Sequence, residues 1–336
     1  MARNIQMMAV LLLVAGVVLG DQPAAEPSPA PQATPTPAVT PKPIPAARRI
    51  PAELAGVFKL TGDESMHIPT DVCVDADGRV IVADGVNDRL VVFDPSSRLR
   101  RFIRDIGGVR LKNPVGVAVD QANNLWVADN GNHRIVRIGP RRTDAEAIAL
   151  APDDGDKPPD PTDVAVADDG TLYVVDNDGH HIRVRRNGRF TVAGRFGESL
   201  GGLRWPFEAA LDSGGALYVT EAIGGRVQRL SRTLQWTRQI GQWGVRLGQL
   251  YRPKGIAVDA RDRVYVSDST LGVVQVFKTT GEFVGVLTNE SGGPLRFSHP
   301  MGLCFDASGR LLVVEAKADQ VTRVRLNPDA TPGGGS

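Results

Sequence analysis

The chain has little cysteine and histidine, and it has no excess of charge of either sign. Two cysteines and five histidines among 336 residues give no indication of a disulfide framework or of a zinc site. The 39 Lys and Arg residues nearly balance the 38 Asp and Glu residues, whereas a nucleic-acid-binding protein needs a basic excess. A basic run at residues 180–189 is interpreted as a solvated strand edge. We therefore expect no nucleic-acid partner.

No apolar run is long enough to cross a membrane. The longest, at residues 7–19, has 13 residues, and a spanning helix needs about 20. Arg3 precedes it and small residues follow, which is typical of a secretory signal peptide at residues 1–20. This predicts a secreted or periplasmic protein with no membrane span after cleavage; an uncleaved membrane anchor is the alternative.

A Pro/Ala-rich segment follows at residues 21–50. It carries nine prolines and six alanines between residues 22 and 46, a composition that favours extended polyproline II geometry over a packed core. We interpret the segment as a linker that precedes a folded domain at residues 51–327. Residues 328–336, rich in glycine, are predicted to be a flexible C-terminal tail.

The folded part is built from six repeats of 45 to 47 residues. Each repeat has a proline directly before a short apolar strand: Pro69, Pro114, Pro161, Pro206, Pro253 and Pro300. Fifteen residues after each proline stands an acid: Asp84, Asp129, Asp176, Glu221, Asp268 and Glu315. Short β-branched strands separated by Asn, Asp and Gly turns at this period predict an all-β fold, a six-bladed β-propeller.

The two ends of the repeat region complement each other. The sixth repeat has three strands and then runs into the C-terminal tail, so it lacks a fourth strand of its own. Residues 54–60, before the first repeat, look like an outer strand without a blade. We therefore expect the N-terminal strand to complete the last blade and close the ring, which removes open sheet edges.

The second repeat, with the sequence VADNGNHRIVRI at residues 127–138, resembles the NHL-repeat family. The similarity extends over residues 54–326, and it is strongest in repeats one, two and five. It implies a six-bladed propeller, but no single activity, because such propellers include binding platforms, sensor domains and some lyases.

The six acids after the second strand are candidates for a ring of carboxylates. We interpret them as structural, because Asp in a turn accepts backbone N–H bonds. In three repeats an arginine follows five residues later and is expected to pair with the acid across the turn: Asp84/Arg89, Asp129/Arg134 and Glu221/Arg226.

A ligand-binding site is predicted at the channel mouth, where the first strands begin. Two residues after the proline, three repeats carry glycine and three carry acids, namely Asp71, Asp163 and Glu208. Oxygen ligands from separate blades could hold Ca²⁺; the alternative is that they bond loop amides or face water. Near them, residues that depart from the repeat pattern complete the predicted site: Trp205, Phe207, Tyr251 and Lys254.

These features predict a binding or scaffold module for a protein or a cell-envelope ligand. No Ser/His/Asp order, phosphate-cradling loop or histidine cluster indicates a catalytic centre. The alternative is a Ca²⁺-dependent hydrolase or lyase with its site at the channel mouth. No other cofactor is indicated.

Overall fold

The computed structural model describes residues 43–152 and 157–327, and nearly all of the regular structure is β-strand. Five short 3-10 helices complete it, at Ala46–Arg48, Gly62–Glu64, Gly85–Asn87, Asn130–Asn132 and Ala316–Ala318. The predicted signal peptide, the tail and most of the linker lie outside the described residues. The first strand begins at Arg49, within the last residues assigned to the linker.

Each repeat contributes four strands, or three in the last repeat, with short extra strands in some connections. Ahead of the repeats lies β1 Arg49–Lys59. The first repeat forms β2 Asp71–Val74, β3 Val80–Asp84, β4 Arg89–Phe93 and β5 Leu99–Ile103, followed by β6 Asp105–Ile106 and β7 Val109–Arg110. The second forms β8 Pro114–Val119, β9 Leu125–Asp129, β10 Arg134–Ile138 and β11 Ala145–Ala149. The third forms β12 Pro161–Val166, β13 Leu172–Asp176, β14 His181–Arg186 and β15 Arg189–Ala193, followed by β16 Arg195–Phe196 and β17 Gly202–Leu203. The fourth forms β18 Pro206–Leu211, β19 Leu217–Glu221, β20 Arg226–Leu230 and β21 Trp236–Ile240. The fifth forms β22 Pro253–Val258, β23 Arg263–Asp268, β24 Val273–Lys278 and β25 Phe283–Thr288. The sixth forms β26 Pro300–Phe305, β27 Leu311–Glu315 and β28 Gln320–Leu326.

The strands of each repeat pair as an antiparallel meander. The first four repeats form four separate four-stranded sheets, and the last two repeats join through β1 into one eight-stranded sheet. Their second strands are buried along their length because both faces of a sheet are covered, so these strands are apolar throughout rather than alternating. The fold is an all-β, propeller-type arrangement.

The N-terminal strand β1 lies between the fifth and sixth repeats. It pairs antiparallel with β28, from Ala52 opposite Leu326 to Lys59 opposite Gln320, with a β-bulge between Leu54 and Gly56. Its first three residues pair in parallel with β25. The strand is therefore longer than the predicted residues 54–60, and in the eight-stranded sheet it lies next to the three strands of the sixth repeat.

The first strands of successive repeats contact one another. The contacts run from β2 through β8, β12, β18 and β22 to β26, and β26 in turn contacts β2. These strands approach so closely that a Cβ on Gly116 would lie 2.6 Å from the Cα of Asp163, and one on Gly302 would lie 2.7 Å from the Cα of Asp71. Glycine is required at both positions for this packing.

The core is divided among the spaces between neighbouring sheets. Tyr173, Tyr218 and Tyr265 stand at the same position of three successive repeats and are fully buried. Both cysteines are free thiols, Cys73 buried and Cys304 half-buried. Within residues 43–152 and 157–327, we find no helix with the length and apolar character needed to cross a membrane.

Candidate functional site

The six acids that follow the second strands brace the turns and the loops before the prolines. Each accepts a hydrogen bond from a backbone N–H of the loop that leads into its repeat, as in His67 to Asp84 (2.9 Å), Lys112 to Asp129 (2.7 Å) and Arg204 to Glu221 (2.8 Å). Burial of these carboxylates against backbone amides supports the structural interpretation.

The three expected acid–arginine pairs are present. The Nε of Arg89 lies 2.6 Å from Asp84, that of Arg134 lies 2.7 Å from Asp129, and that of Arg226 lies 2.7 Å from Glu221. All three acids are fully shielded from solvent. In the third repeat the position five residues on holds a histidine, and the pairing moves to Arg183, whose Nε lies 2.6 Å from Asp176. The third repeat thus keeps the acid–arginine ion pair, but its arginine stands at a position that the spacing in the other repeats does not indicate.

Asp71, Asp163 and Glu208 lie between neighbouring first strands, not in open solvent. Asp71 accepts hydrogen bonds from the amides of Val72 and Val117, both at 2.7 Å, and Asp163 accepts one from Ala209 at 2.8 Å. The side chains thus link their own repeat to the next one along the chain.

Glu208 reaches further than the two aspartates because its side chain is longer. Its Oε1 lies 3.0 Å from the amide of Ile256 and 3.4 Å from that of Leu303, so one carboxylate joins three repeats. Its Oε2 is buried and has no hydrogen-bond partner among the described residues.

Burial is the largest influence on the pKa values of these three acids. It raises the pKa of Asp71 to about 7 against the opposing effect of two amide hydrogen bonds. It also raises the pKa values of Asp163 and Glu208 well above their ordinary range, with the negative charge of Asp71 adding to the effect. Among the described residues, no three His, Cys, Asp or Glu side chains are placed to hold a metal ion. Binding of Ca²⁺ by these acids, one of the two alternatives for them, stays a prediction.

Phe207 and Lys254, both predicted site residues, contact each other. The ammonium nitrogen of Lys254 lies 3.7 Å from the centre of the Phe207 ring, a cation–π distance. Both side chains are buried, and Phe207 packs in a core with Val72, Val115 and Met301. Phe207 is therefore part of the core and does not present a free aromatic face.

Lys254 has no hydrogen-bond partner for its buried ammonium nitrogen among the described residues. Burial, with the positive charge of Arg252, lowers the pKa of Lys254 to about 7. The neighbouring His299 also has a buried Nε2 without a partner in the described part of the chain, and burial with the charges of Lys317 and Lys254 lowers its pKa to about 4. A small group of basic side chains thus lies where the first strands of the fifth and sixth repeats begin.

Trp205 and Tyr251 are half-buried and belong to two surface clusters. The Trp205 ring lies 4.8 Å from His180 and 6.2 Å from Phe196. The Tyr251 ring lies 5.6 Å from that of Trp243. The seven predicted residues therefore lie in four places: the buried acids, the Phe207–Lys254 pair, and Trp205 and Tyr251 each in its own surface cluster.

The sequence did not single out the most exposed apolar residues of this region. They lie on loop 194–205, which precedes β18, and on loop 241–252, which precedes β22: Phe196, Leu200, Trp243, Val245 and Leu247. The available signal was a set of large apolar residues interspersed with glycine, a composition that does not fit a strand.

Comparison with known proteins identifies the repeats and the fold. The NHL repeat model matches residues 66–93, 111–138 and 159–184, which lie in the first three repeats. Among solved structures, a streptogramin B lyase superposes with a TM-score of 0.60 at 15% identity, over 82% of this chain and 98% of that chain. A gluconolactonase from Xanthomonas campestris superposes with a TM-score of 0.59 at 18% identity, over 89% and 99%.

A catalytically inactive virginiamycin B lyase from Staphylococcus aureus, solved with quinupristin, gives a TM-score of 0.59 at 16% identity, over 82% of this chain and 88% of that chain. At such identities the similarity establishes the fold alone. No curated protein matches the chain.

Proposed function

We propose that this chain, which carries NHL repeats in an all-β propeller-type fold, is a binding module that captures a protein partner. The observation that carries the proposal is the exposure of large apolar side chains on loops 194–205 and 241–252. Phe196, Trp243 and Val245 expose 61%, 63% and 67% of their surface. Large apolar residues gathered on neighbouring loops are typical of an interaction surface.

The two loops lie on either side of one turn of the fourth repeat. Arg226, which ends that turn, donates hydrogen bonds to the carbonyls of Glu198 and Gly202 in the first loop. Trp243 of the second loop packs so close to Gly225 that a Cβ there would lie 2.8 Å from its ring. The exposed residues of both loops are thus held on adjacent parts of a rigid scaffold.

The charges around these residues indicate the kind of partner. Arg195 and Arg246 are exposed on the two loops, and among the described residues neither pairs with a carboxylate. A partner segment with apolar side chains flanked by Asp or Glu would match both the apolar surface and its basic rim.

The test is capture of partners from a cell-envelope extract by the wild type and by a Phe196→Ser, Trp243→Ser double variant. We expect the double variant to bind the recovered partner at least ~10-fold more weakly. Its thermal midpoint should change little, because most of the surface of both side chains is exposed. Leu54→Ser is the matched control, since Leu54 is equally exposed but lies on β1. Equal capture by all three proteins would contradict the proposal.

A hydrolase or lyase is the second candidate function. The similar solved structures include proteins named as lyases and a gluconolactonase, so the fold is compatible with an enzyme at least as well as with a binding module. Metal analysis of the purified protein, with and without chelator, tests the Ca²⁺-dependent form. Stoichiometric Ca²⁺ with loss of thermal stability on chelation would favour the enzyme over the binding module.

The proposal includes a closed ring of six blades and export from the cytoplasm. The ring is supported by the cyclic order of first-strand contacts and by the pairing of β1 with β28. Export rests on the signal-peptide pattern of residues 1–20. A mature protein that begins near residue 21 in the secreted or periplasmic fraction would support it, whereas an intact N-terminus in the membrane fraction would favour the anchor.

A further inference from the structure

Within the described residues, no carboxylate forms an ion pair with Lys254. Lys254 is 2% exposed, and its ammonium nitrogen has no hydrogen-bond acceptor within the described residues. His299 Nε2 is likewise buried without a partner there. Burying such groups costs free energy unless a partner is supplied. Two buried basic side chains without hydrogen-bond partners therefore favour the binding of an anion.

The acids at the ends of the neighbouring second strands, Asp268 and Glu315, are already occupied. The carboxylate of Asp268 accepts the amides of Tyr251 and Arg252. The carboxylate of Glu315 accepts the amide of Ser298 and a hydrogen bond from Gln320. Neither carboxylate forms an ion pair with Lys254 or His299, so these turns do not supply a negative charge to the two basic side chains.

We propose that Lys254, with His299 and Arg252 beside it, binds the carboxylate group of a ligand. A carboxylate accepts hydrogen bonds from both unpartnered nitrogens and supplies the missing charge. Lys254 also contacts the buried Phe207 ring at 3.7 Å, and this apolar neighbour suits an organic acid better than a bare inorganic anion. Lysine suits this role because its compact charge sits on a flexible stem and can leave the ring to meet a ligand. Apart from Arg252, the site lies outside loops 194–205 and 241–252, and it does not depend on the protein-binding function.

Carboxylate binding at this site should be coupled to the uptake of a proton. The pKa of Lys254 is lowered to about 7, so at pH 8 most of the free protein carries a neutral amine. A bound carboxylate stabilises the ammonium form and raises that pKa. Binding at pH 8 therefore takes up nearly one proton per ligand, and affinity falls about 10-fold per pH unit above pH 8.

Calorimetric titration with benzoate, in buffers of different ionisation enthalpy at pH 6 and pH 8, measures both affinity and proton uptake. We expect a dissociation constant on the order of 1 mM, as suits a ligand of this size, with uptake at pH 8 and much less at pH 6. Benzyl alcohol, which lacks the charge, should not bind. Equal binding of the alcohol would overturn the proposal.

Lys254→Met removes the charge and keeps an apolar stem beside Phe207. Benzoate should bind this variant at least ~10-fold more weakly and without proton uptake. Lys278→Met is the control, because Lys278 is an exposed lysine paired with Glu282 at 2.7 Å, and it should bind as the wild type does. Unchanged benzoate binding by the Lys254 variant would refute the assignment.

A measurement on the wild type keeps the proposal testable if that variant does not fold. The Lys254 resonance, followed by NMR after reductive methylation with ¹³C-formaldehyde, should titrate below the other lysines and shift to higher pH with benzoate. A second arm uses an acetylated, amidated peptide with one aspartate. Binding of the peptide alone would assign the carboxylate to a side chain of a partner, and binding of benzoate would assign it to a free acid. Binding of neither at ~50 mM, well above the expected constant, would overturn the proposal.

Discussion

Replacing Asp71 by asparagine should make the stability difference from the wild type depend on pH. Burial raises the pKa of Asp71 from its ordinary 3.8 to about 7 in the folded protein. Because the folded-state pKa is raised, the stabilising effect of the protonated acid is complete below pH ~4 and is lost as pH rises through 7. The difference between 3.8 and about 7 corresponds to about 4 kcal/mol of unfolding free energy.

The asparagine of the Asp71→Asn variant would not ionise, and its carbonyl can still accept one of the two amide hydrogen bonds that Asp71 accepts. The lost bond costs about 1 kcal/mol. The variant should therefore be about 1 kcal/mol less stable than the wild type at pH 4 and about 3 kcal/mol more stable at pH 8.5. Urea unfolding at both values measures this. Asp63→Asn, an exposed position, should show no such crossover. A difference that is constant from pH 4 to pH 8.5 would refute the reasoning.

Three further predictions concern the scaffold and are measured by thermal or urea unfolding. Arg226→Met leaves Glu221 buried and unpaired and should cost about 3–5 kcal/mol, whereas Arg325→Met, which breaks an exposed pair with Glu53 at 2.6 Å, should cost less than about 1 kcal/mol; equal losses would contradict this. Gly302→Ala places a Cβ against the backbone of the first repeat and should cost about 1–3 kcal/mol, whereas Gly293→Ala, with room for a Cβ, should be nearly neutral. Removing residues 1–43 should leave a folded protein, whereas removing residues 1–60 strips β1 from β28 and should cause aggregation; similar melting of both truncations would be evidence against this role of β1.

The repeat period was sufficient to predict the strands because each repeat obeys the same local rules. A proline precedes the first strand, Asn, Asp and Gly form the turns, and an acid ends the second strand, so one register predicts all six units. The bracing acids could be predicted for the same reason. In the third repeat the arginine that pairs with the acid stands at a different position, since Arg183 pairs with Asp176. The spacing of the other repeats does not predict this pair.

The candidate site was harder to predict because burial is a property of neighbouring repeats, not of a single one. Phe207 and Lys254 occupy the same position in successive repeats. Nothing in the sequence indicates that the Phe207 ring would cover the ammonium group of Lys254. Trp243 was missed for the opposite reason. Its glycine-rich loop has no periodicity, and exposure follows only from how that loop packs on the fourth repeat.

The choice between glycine and an acid two residues after the proline has a structural cause that bears on function. Asp71 fits because its neighbour in the sixth repeat is Gly302, and Asp163 fits because its neighbour in the second repeat is Gly116. Each acid then bonds an amide of the following repeat. A carboxylate whose oxygens are committed to backbone amides between packed strands has little freedom to coordinate an ion or a substrate. These acids therefore act as links within the scaffold, and for this reason we propose the loops before β18 and β22 and the unpartnered amine of Lys254 as the recognition sites.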